Sequence, residues 1–245
     1  ELIALADDER LAEDLRLLAV IPARGGSKRL PRKNILPLGG KPLIQWTIDA
    51  GRASGVCADL LVSTDDAEIA ETAKSAGAMV PWLRPDDLSS DTATSSSVIA
   101  HALAWYVANR GAVDAVLLLQ PTSPFRSAAS IQSAVELYRR QPRETANAVV
   151  SVSPADTHPA WTFMLDGAND AMNPVMGWEP LQLRSQDLVP AYALNGAIYI
   201  IPSKDICDGL PIIRPGVLPF VMADSRECLD IDTPEDWEVA QRQFP

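Results

Sequence analysis

Leu17-Leu18-Ala19-Val20-Ile21-Pro22-Ala23-Arg24-Gly25-Gly26-Ser27-Lys28-Arg29-Leu30-Pro31-Arg32-Lys33-Asn34 joins two different kinds of chain within eighteen residues. The first six residues are apolar without a break, and Val20 and Ile21 are β-branched. That pattern marks a strand buried on both faces. The rest holds two adjacent glycines and five cations. A strand hidden on both faces belongs to a parallel sheet with helices on either side. Ligands of such sheets bind beyond the carboxyl ends of the strands. One stretch therefore predicts an α/β fold and a place for an anion.

The chain on either side keeps the same rhythm. Pro42 stands at a first helical position, and Leu43, Ile44, Thr47 and Ile48 follow at helical spacing. Leu60–Ser63 reads as a second strand, and Asp66–Ala76 as a helix closed by Gly77. Ala78–Trp82 reads as a short third strand, Ser95–Asn109 as a helix and Ala115–Leu119 as a fourth, buried strand. Ser127–Arg140 is a helix and Ala148–Val152 a fifth strand. Such alternation with short turns calls for a mostly parallel sheet covered on both faces. Gly196–Ile201 and Val217–Met222 are later strands. Pro234–Phe244 is a closing helix, with Thr233 as N-cap and Asp236 completing a capping box. Asp7–Leu15 reads as a short peripheral helix. Residues 1–16 are thus an extension and 17–245 one domain. Residues 154–190 break the pattern with five prolines, two of the six tryptophans and three of the five methionines. This is an excursion from the sheet that covers the site or packs against a second subunit.

The chain has 21 basic and 32 acidic residues, a net charge of −11, with 47% hydrophobic and 22% charged residues. The composition is that of a folded globular protein. No apolar run is long enough to span a bilayer. The acidic start, Glu1 to Arg16, lacks the order of a secretory signal. A protein that coats nucleic acid or an anionic membrane carries the opposite charge balance, so neither partner is expected. Cys57, Cys207 and Cys228 are odd in number and lack metal-ligand spacing, which suits reduced thiols in a cytoplasmic protein. The charge is uneven: Leu15 to Ile48 holds seven cations and no acid, leaving −18 for the remainder. A basic loop in an acidic chain is either a solvated surface turn or a site for a polyanion such as a nucleoside triphosphate.

The loop has the chemistry for the second role. Gly25 and Gly26 let backbone approach a ligand without a Cβ in the way. Backbone N–H groups there can cradle phosphate, Lys28 and Lys33 can reach its two ends, and Arg24 offers a planar fork. The loop is neither a P-loop nor a Gly-x-Gly-x-x-Gly dinucleotide fingerprint. Far downstream, Asp230-Ile231-Asp232 places two carboxylates on one face of an extended segment and turns Ile231 toward the core. Two oxygen ligands so placed suit Mg²⁺; the bland alternative is a helix cap and a solvated acid. Gln120-Pro121-Thr122-Ser123-Pro124 follows a buried strand, and its polar side chains suit either a polyhydroxylated ligand or an ordinary turn. Asn195-Gly196 is, on its own, a turn before a strand. His101 lies between apolar helical positions and reads as structural, and His158-Pro159 falls in the excursion.

With these motifs the chain resembles the acylneuraminate cytidylyltransferase family. The loop carries the likeness. So do Ser63-Thr64-Asp65, Arg84-Pro85, Ser90-Asp91-Thr92, Leu119-Gln120-Pro121-Thr122-Ser123-Pro124, Asn195-Gly196-Ala197-Ile198-Tyr199 and Asp230-Ile231-Asp232, over about Leu17 to the C-terminus. The resemblance implies a three-layer, Rossmann-like nucleotidyltransferase fold. It implies transfer of CMP from CTP to a nonulosonic (sialic-type) 2-keto sugar acid, with Mg²⁺ and release of pyrophosphate. Arg24, Lys28 and Lys33 would be catalytic, and Arg24, Asn34, Arg84, Ala93 and Ser95 would bind nucleotide. Gln120, Thr122, Arg184 and Asn195 would bind sugar, and Asp230 and Asp232 the metal. A homodimer, with the excursion exchanged between subunits, would carry over as well.

Two departures bear on the sugar. Where sialic-acid enzymes commonly carry an arginine-rich stretch ending Arg-Arg-Gln-Asp, this chain reads Gln182-Leu183-Arg184-Ser185-Gln186-Asp187, with one cation. Some bacterial members place an arginine where this chain has Ala193. A legionaminic, pseudaminic or other nonulosonic acid is thus as open as N-acetylneuraminic acid, and Kdo stands third because Asn34 follows Lys33 where Kdo enzymes usually carry Gly-Lys-Pro after the loop lysine. A catalytically silent nucleotide- or sugar-binding homologue, or another sugar nucleotidyltransferase, is the competing reading.

Overall fold

β1 (Leu17–Pro22) is central to a six-stranded sheet, and its first five residues are wholly buried. In this computed structural model, which describes residues 15–90, 92–167 and 171–244, the alternation expected after β1 is present. The elements are α1 (Leu43–Ser54), β2 (Asp59–Ser63), α2 (Ala67–Ser75), α3 (Ser95–Arg110), β3 (Ala115–Leu118), α4 (Ala128–Arg139) and β4 (Val149–Pro154). A separate hairpin of β5 (Phe163–Asp166) and β6 (Ala171–Pro174) follows. The chain then returns as β7 (Tyr192–Pro202), α5 (Ser203–Cys207), β8 (Leu218–Val221) and α6 (Pro234–Gln241). The expected peripheral helix lies outside the described residues except for Leu15.

The strand order is β8-β4-β7-β3-β1-β2. β7 is antiparallel to β3 and β4, and the other pairings are parallel. Successive residues of a strand face opposite ways, and β1 shows why its apolar run is unbroken. Leu17, Ala19 and Ile21 pack with Ile44 and Ile48 of α1, Ile69 of α2 and Val135 of α4. Leu18 and Val20 pack with Ile99, Leu103 and Tyr106 of α3. The result is three layers, helix–sheet–helix.

A third apolar cluster decides where the acidic segment lies. Leu38, Leu43, Ile231 and Ala240 are buried together, with Trp46, Phe125, Trp237 and Phe244 packed around them. Phe244 lies so close over Gly39 that a Cβ there would come within 2.4 Å of the ring, and Gly39 has φ +56°. α6 thus ties the 230–232 segment to the start of α1. Its N-terminus is as expected: Thr233 and Asp236 form a full capping box.

Several boundaries differ from expectation. Pro42 is the N-cap of α1 and has extended backbone, so the helix begins at Leu43. The third strand expected at Ala78–Trp82 reduces to a single bridge between Met79 and Leu61. Pro81 has no N–H to extend a ladder, and the chain turns so that the Arg84 amide bonds the Thr64 carbonyl at 2.7 Å. The strand expected at Gly196–Ile201 runs from Tyr192 to Pro202, because Tyr192, Ala193 and Leu194 pair with Pro154, Ser153 and Val152. The closing helix ends at Gln241 rather than Phe244.

Candidate active site

The carboxyl ends of β1 and β3 open onto one cleft of about 650 Å³. Its walls come from the basic loop, from 84–98, from Gln120-Pro121-Thr122 and from Asp232. Of the residues singled out from the sequence, Arg24, Lys28, Lys33, Asn34, Arg84, Ala93, Ser95, Gln120, Thr122 and Asp232 line it. Asp230, Arg184 and Asn195 are not among the lining residues.

The loop is held from both sides, by Asp65 behind it and by Asn34 in the cleft wall. The Gly25 amide donates to Asp65 Oδ1 at 2.9 Å, and Asn34 Nδ2 to the Arg24 carbonyl at 3.0 Å. A Cβ on Gly25 would lie 2.7 Å from Asp66 Oδ2, whereas Gly26 faces open space. Neither glycine is left-handed. The loop's left-handed residue is Arg32, with φ 59°, and its guanidinium turns away to form salt bridges with Asp66 and Glu68. Arg32 thus supplies loop geometry rather than charge in the cleft.

Lys33 links the loop to the acidic segment. Its side chain is only 10% exposed, and its ammonium donates to the Ile231 carbonyl at 2.7 Å and to Asp232 Oδ1 at 2.9 Å. Groups separated by 199 residues therefore meet. The Ile231 amide in turn donates to the Thr122 carbonyl at 2.8 Å, joining the acidic segment to the third wall. Thr233, not Asp232, caps α6, so Asp232 is left to Lys33 and the cleft.

Asp230 is half-buried, and its Oδ1 has no hydrogen-bond partner. Burial pushes its carboxyl above the usual range; Thr122 and Lys33 oppose that and Asp232 adds to it. An unpaired buried carboxylate oxygen is costly, and a cation would relieve it. Among the described residues no three His, Cys, Asp or Glu side chains form a ready metal cage. The pair therefore fits a hard ion that takes its other ligands from phosphate and water.

Arg84 is 7% exposed. It donates to the Ser63 and Leu88 carbonyls at 3.1 and 3.4 Å, while its Nε has no partner. Burial depresses its pKa, Asp65 opposes the shift and Arg24 reinforces it. α3 starts at the cleft: Thr94 caps it through the Ser97 amide, and Thr94 and Ser95 both line the wall. A helix N-terminus adds partial positive charge where anions are held. Sequence reasoning did not pick out Thr94, Ser89, Ser90 or Arg29 as site residues. The Thr-x-x-Ser spacing before an apolar helix was a readable N-cap signal for Thr94.

The remaining candidates lie elsewhere. Arg184 is exposed in the excursion. Asn195 is buried: its Oδ1 accepts from Ser151 Oγ at 2.5 Å and from the Ala197 amide at 3.2 Å. His101 packs edge-on against Trp82. His158 uses both nitrogens structurally, with Nδ1 accepting from the Ala160 amide and Nε2 at 2.8 Å from the Val189 carbonyl.

Comparison with known proteins shows the family and the fold. The sequence profile of the family described as Cytidylyltransferase matches residues 18–175. The chain is 41% identical over 228 residues to the CMP-N,N'-diacetyllegionaminic acid synthase of Legionella pneumophila, covering 93% of this chain and 96% of that one. It is 34% identical to the pseudaminic acid cytidylyltransferase of Campylobacter jejuni, covering 93% and 95%. It is also 34% identical to the N-acylneuraminate cytidylyltransferase of Escherichia coli, where it covers 92% of this chain but spans only 51% of the relative. Among solved structures, a CMP:2-keto-3-deoxy-manno-octonic acid synthetase complexed with CTP superimposes with a TM-score of 0.68. It is 18% identical and covers 93% of this chain and 98% of that chain, a likeness of fold.

Proposed function

The chain belongs to the cytidylyltransferase family, and from that premise we propose that it transfers CMP from CTP to a nonulosonic (sialic-type) 2-keto sugar acid and releases pyrophosphate. The observation that carries this reading is the contact of Lys33 with Asp232. It brings the cation-rich loop and the acidic segment to one cleft, as a triphosphate with a bound metal requires.

The sugar hydroxyl attacks the α-phosphorus in line with departing pyrophosphate. Catalysis of this kind consists mainly of positioning and charge neutralisation. Arg24 and Lys28 hold phosphate oxygens, and Lys33, fixed between Ile231 and Asp232, presents its charge at a set place. Asn34, Arg84, Ala93 and Ser95 hold the nucleotide along the α3 wall. Gln120 and Thr122 face the sugar, with Arg184 and Asn195 assigned to the sugar side. Asp230 and Asp232 would hold Mg²⁺, which supplies charge neutralisation on the phosphates.

The 41% relative makes a legionaminic-type acid the first sugar to test, ahead of pseudaminic and N-acetylneuraminic acids. We place the protein in the cytoplasm, where CTP is made, with 17–245 as the working unit. We further propose a homodimer through the excursion, whose Met164, Leu165, Trp178 and Val189 are exposed. Pyrophosphate release across CTP, UTP, ATP and GTP, with a panel of keto-sugar acids, tests the function. Turnover is expected with CTP and Mg²⁺ alone. Turnover with UTP and a sugar 1-phosphate would refute it.

A further inference from the structure

β7 does not pair evenly with β4. The register jumps from Val150 opposite Tyr199 to Val152 opposite Leu194, and Gly196, at φ +73°, makes the bulge. Bulges re-aim a strand next to functional sites, and they leave backbone groups without a ladder partner. Here side chains supply those partners. The Ile198 amide donates to Ser151 Oγ at 2.8 Å, and the Ala197 amide donates to Asn195 Oδ1. The Ala197 carbonyl accepts from Arg126 Nη1 at 2.6 Å.

Arg126 is the unexpected member of this set. It is 2% exposed and forms no salt bridge among the described residues; its bonds there go to neutral acceptors. Nη1 also donates to the Gln120 carbonyl at 3.2 Å, and Nη2 to Thr47 Oγ1 at 2.8 Å. Burial pushes its pKa down to about 9, with Glu227 opposing the shift. Burying a cation this way is costly, and an apolar side chain of similar volume would fold more cheaply. What the guanidinium provides is a rigid planar fork. It ties α1, the Gln120 loop and the β7 bulge to one point. The tie reaches the cleft, because a Cβ on Gly196 would lie 3.2 Å from Gln120 Oε1, and Gln120 lines the wall.

We propose that Arg126 is a positioning residue for the sugar half of the site, fixing the Gln120 side chain against the Gly196 bulge without touching either substrate. The inference rests on the cytidylyltransferase reading and adds to it a residue that acts on the sugar and not on CTP. None of its bonds reaches the basic loop, Arg84 or the start of α3.

The test is steady-state kinetics of the full chain with CTP and N,N'-diacetyllegionaminic acid, alongside circular dichroism and thermal melting. Arg126→Met is expected to raise the sugar KM about tenfold or more while the CTP KM stays within about twofold. Arg126→Lys should restore part of the loss. Where Arg126→Met fails to fold, Thr47→Val decides, removing one anchor of the fork and raising the sugar KM about threefold with the CTP KM unchanged. Folded variants with an unaltered sugar KM, or with both KM values raised alike, would overturn the proposal. Absence of turnover by the unaltered protein with every nucleotide and sugar would instead overturn the proposed function, and this inference with it.

Discussion

Asp65 and Asp66 divide the work of setting the basic loop. Asp65 takes the Gly25 amide, while Asp66 caps α2 through the Glu68 and Ile69 amides and binds Arg32. Burial opposes ionisation of Asp66, but the bonds from Arg32 and from the Ile69 and Glu68 amides outweigh it and hold its pKa below the usual value. A carboxyl depressed in the folded state stabilises above its unfolded pKa, and that contribution is lost as pH falls through the folded value. Asp66→Ala should therefore cost about 1 kcal/mol at neutral pH, mainly as a lost cap. The gap in melting temperature between variant and parent should close below pH of about 4. A gap that stayed constant down to pH 2 would show the carboxylate charge to be irrelevant. Asp232 makes the complementary case. Its side chain is 53% exposed and its capping place is taken by Thr233, so Asp232→Asn should leave the melt nearly unchanged. Turnover should fall by roughly 100-fold or more, the scale of removing one preorganised electrostatic partner. Full activity in that variant would refute the metal assignment.

At the scale of elements, the closing helix positions the acidic segment from behind. Phe244 rests 5.2 Å from the Trp46 ring and 5.7 Å from that of Phe125. Phe244→Ala should cost about 2 kcal/mol, below the range for a fully buried phenylalanine because the ring is partly exposed. The melting temperature should drop by about 4–8 °C, and an unchanged melt would show that α6 is not clamped there. This helix was readable from Thr233-Pro234-Glu235-Asp236, since a capping box is local chemistry. β1 and β3 were equally readable, because full burial writes itself as an unbroken apolar run. The direction of β7 was not, since nothing within Tyr192–Pro202 says which way its neighbours run. Nor was the fate of Asn195-Gly196, which reads as a turn and is instead a bulge whose asparagine faces inward. Arg126 left no signal at all: a lone arginine after Pro-Phe is expected at the surface, and only tertiary packing makes it the centre of a network. Arg24, Lys28 and Lys33 were legible because an acidic chain concentrates its cations in one loop. Thr94 was legible only as a helix cap, and Ser89 and Ser90, which line the wall from a short turn, left no signal of their own.

The whole molecule carries −11, yet its apolar exposure is concentrated in one segment. Leu165 is 78% exposed, Met164 67%, Trp178 62% and Val189 81%, all between the point where the chain leaves the sheet at Pro154 and its return at Tyr192. Among the described residues β5 and β6 pair only with each other, and an isolated two-stranded hairpin is marginal in water. Clustered apolar side chains on such a hairpin mark an interaction surface, and a second copy of the chain is the partner proposed for it. In a two-fold dimer each hairpin would be buried by its mate, so one charge placed there is applied twice. Leu165→Glu should therefore convert the protein from a species of twice 26.4 kDa to one of 26.4 kDa in sedimentation equilibrium. With Arg184 in the same segment, the sugar KM should rise in the separated subunits while the CTP KM, set by the loop and α3, changes little. A parent protein that already sediments at the monomer mass would remove the dimer, and the hairpin's exposed face would need another partner.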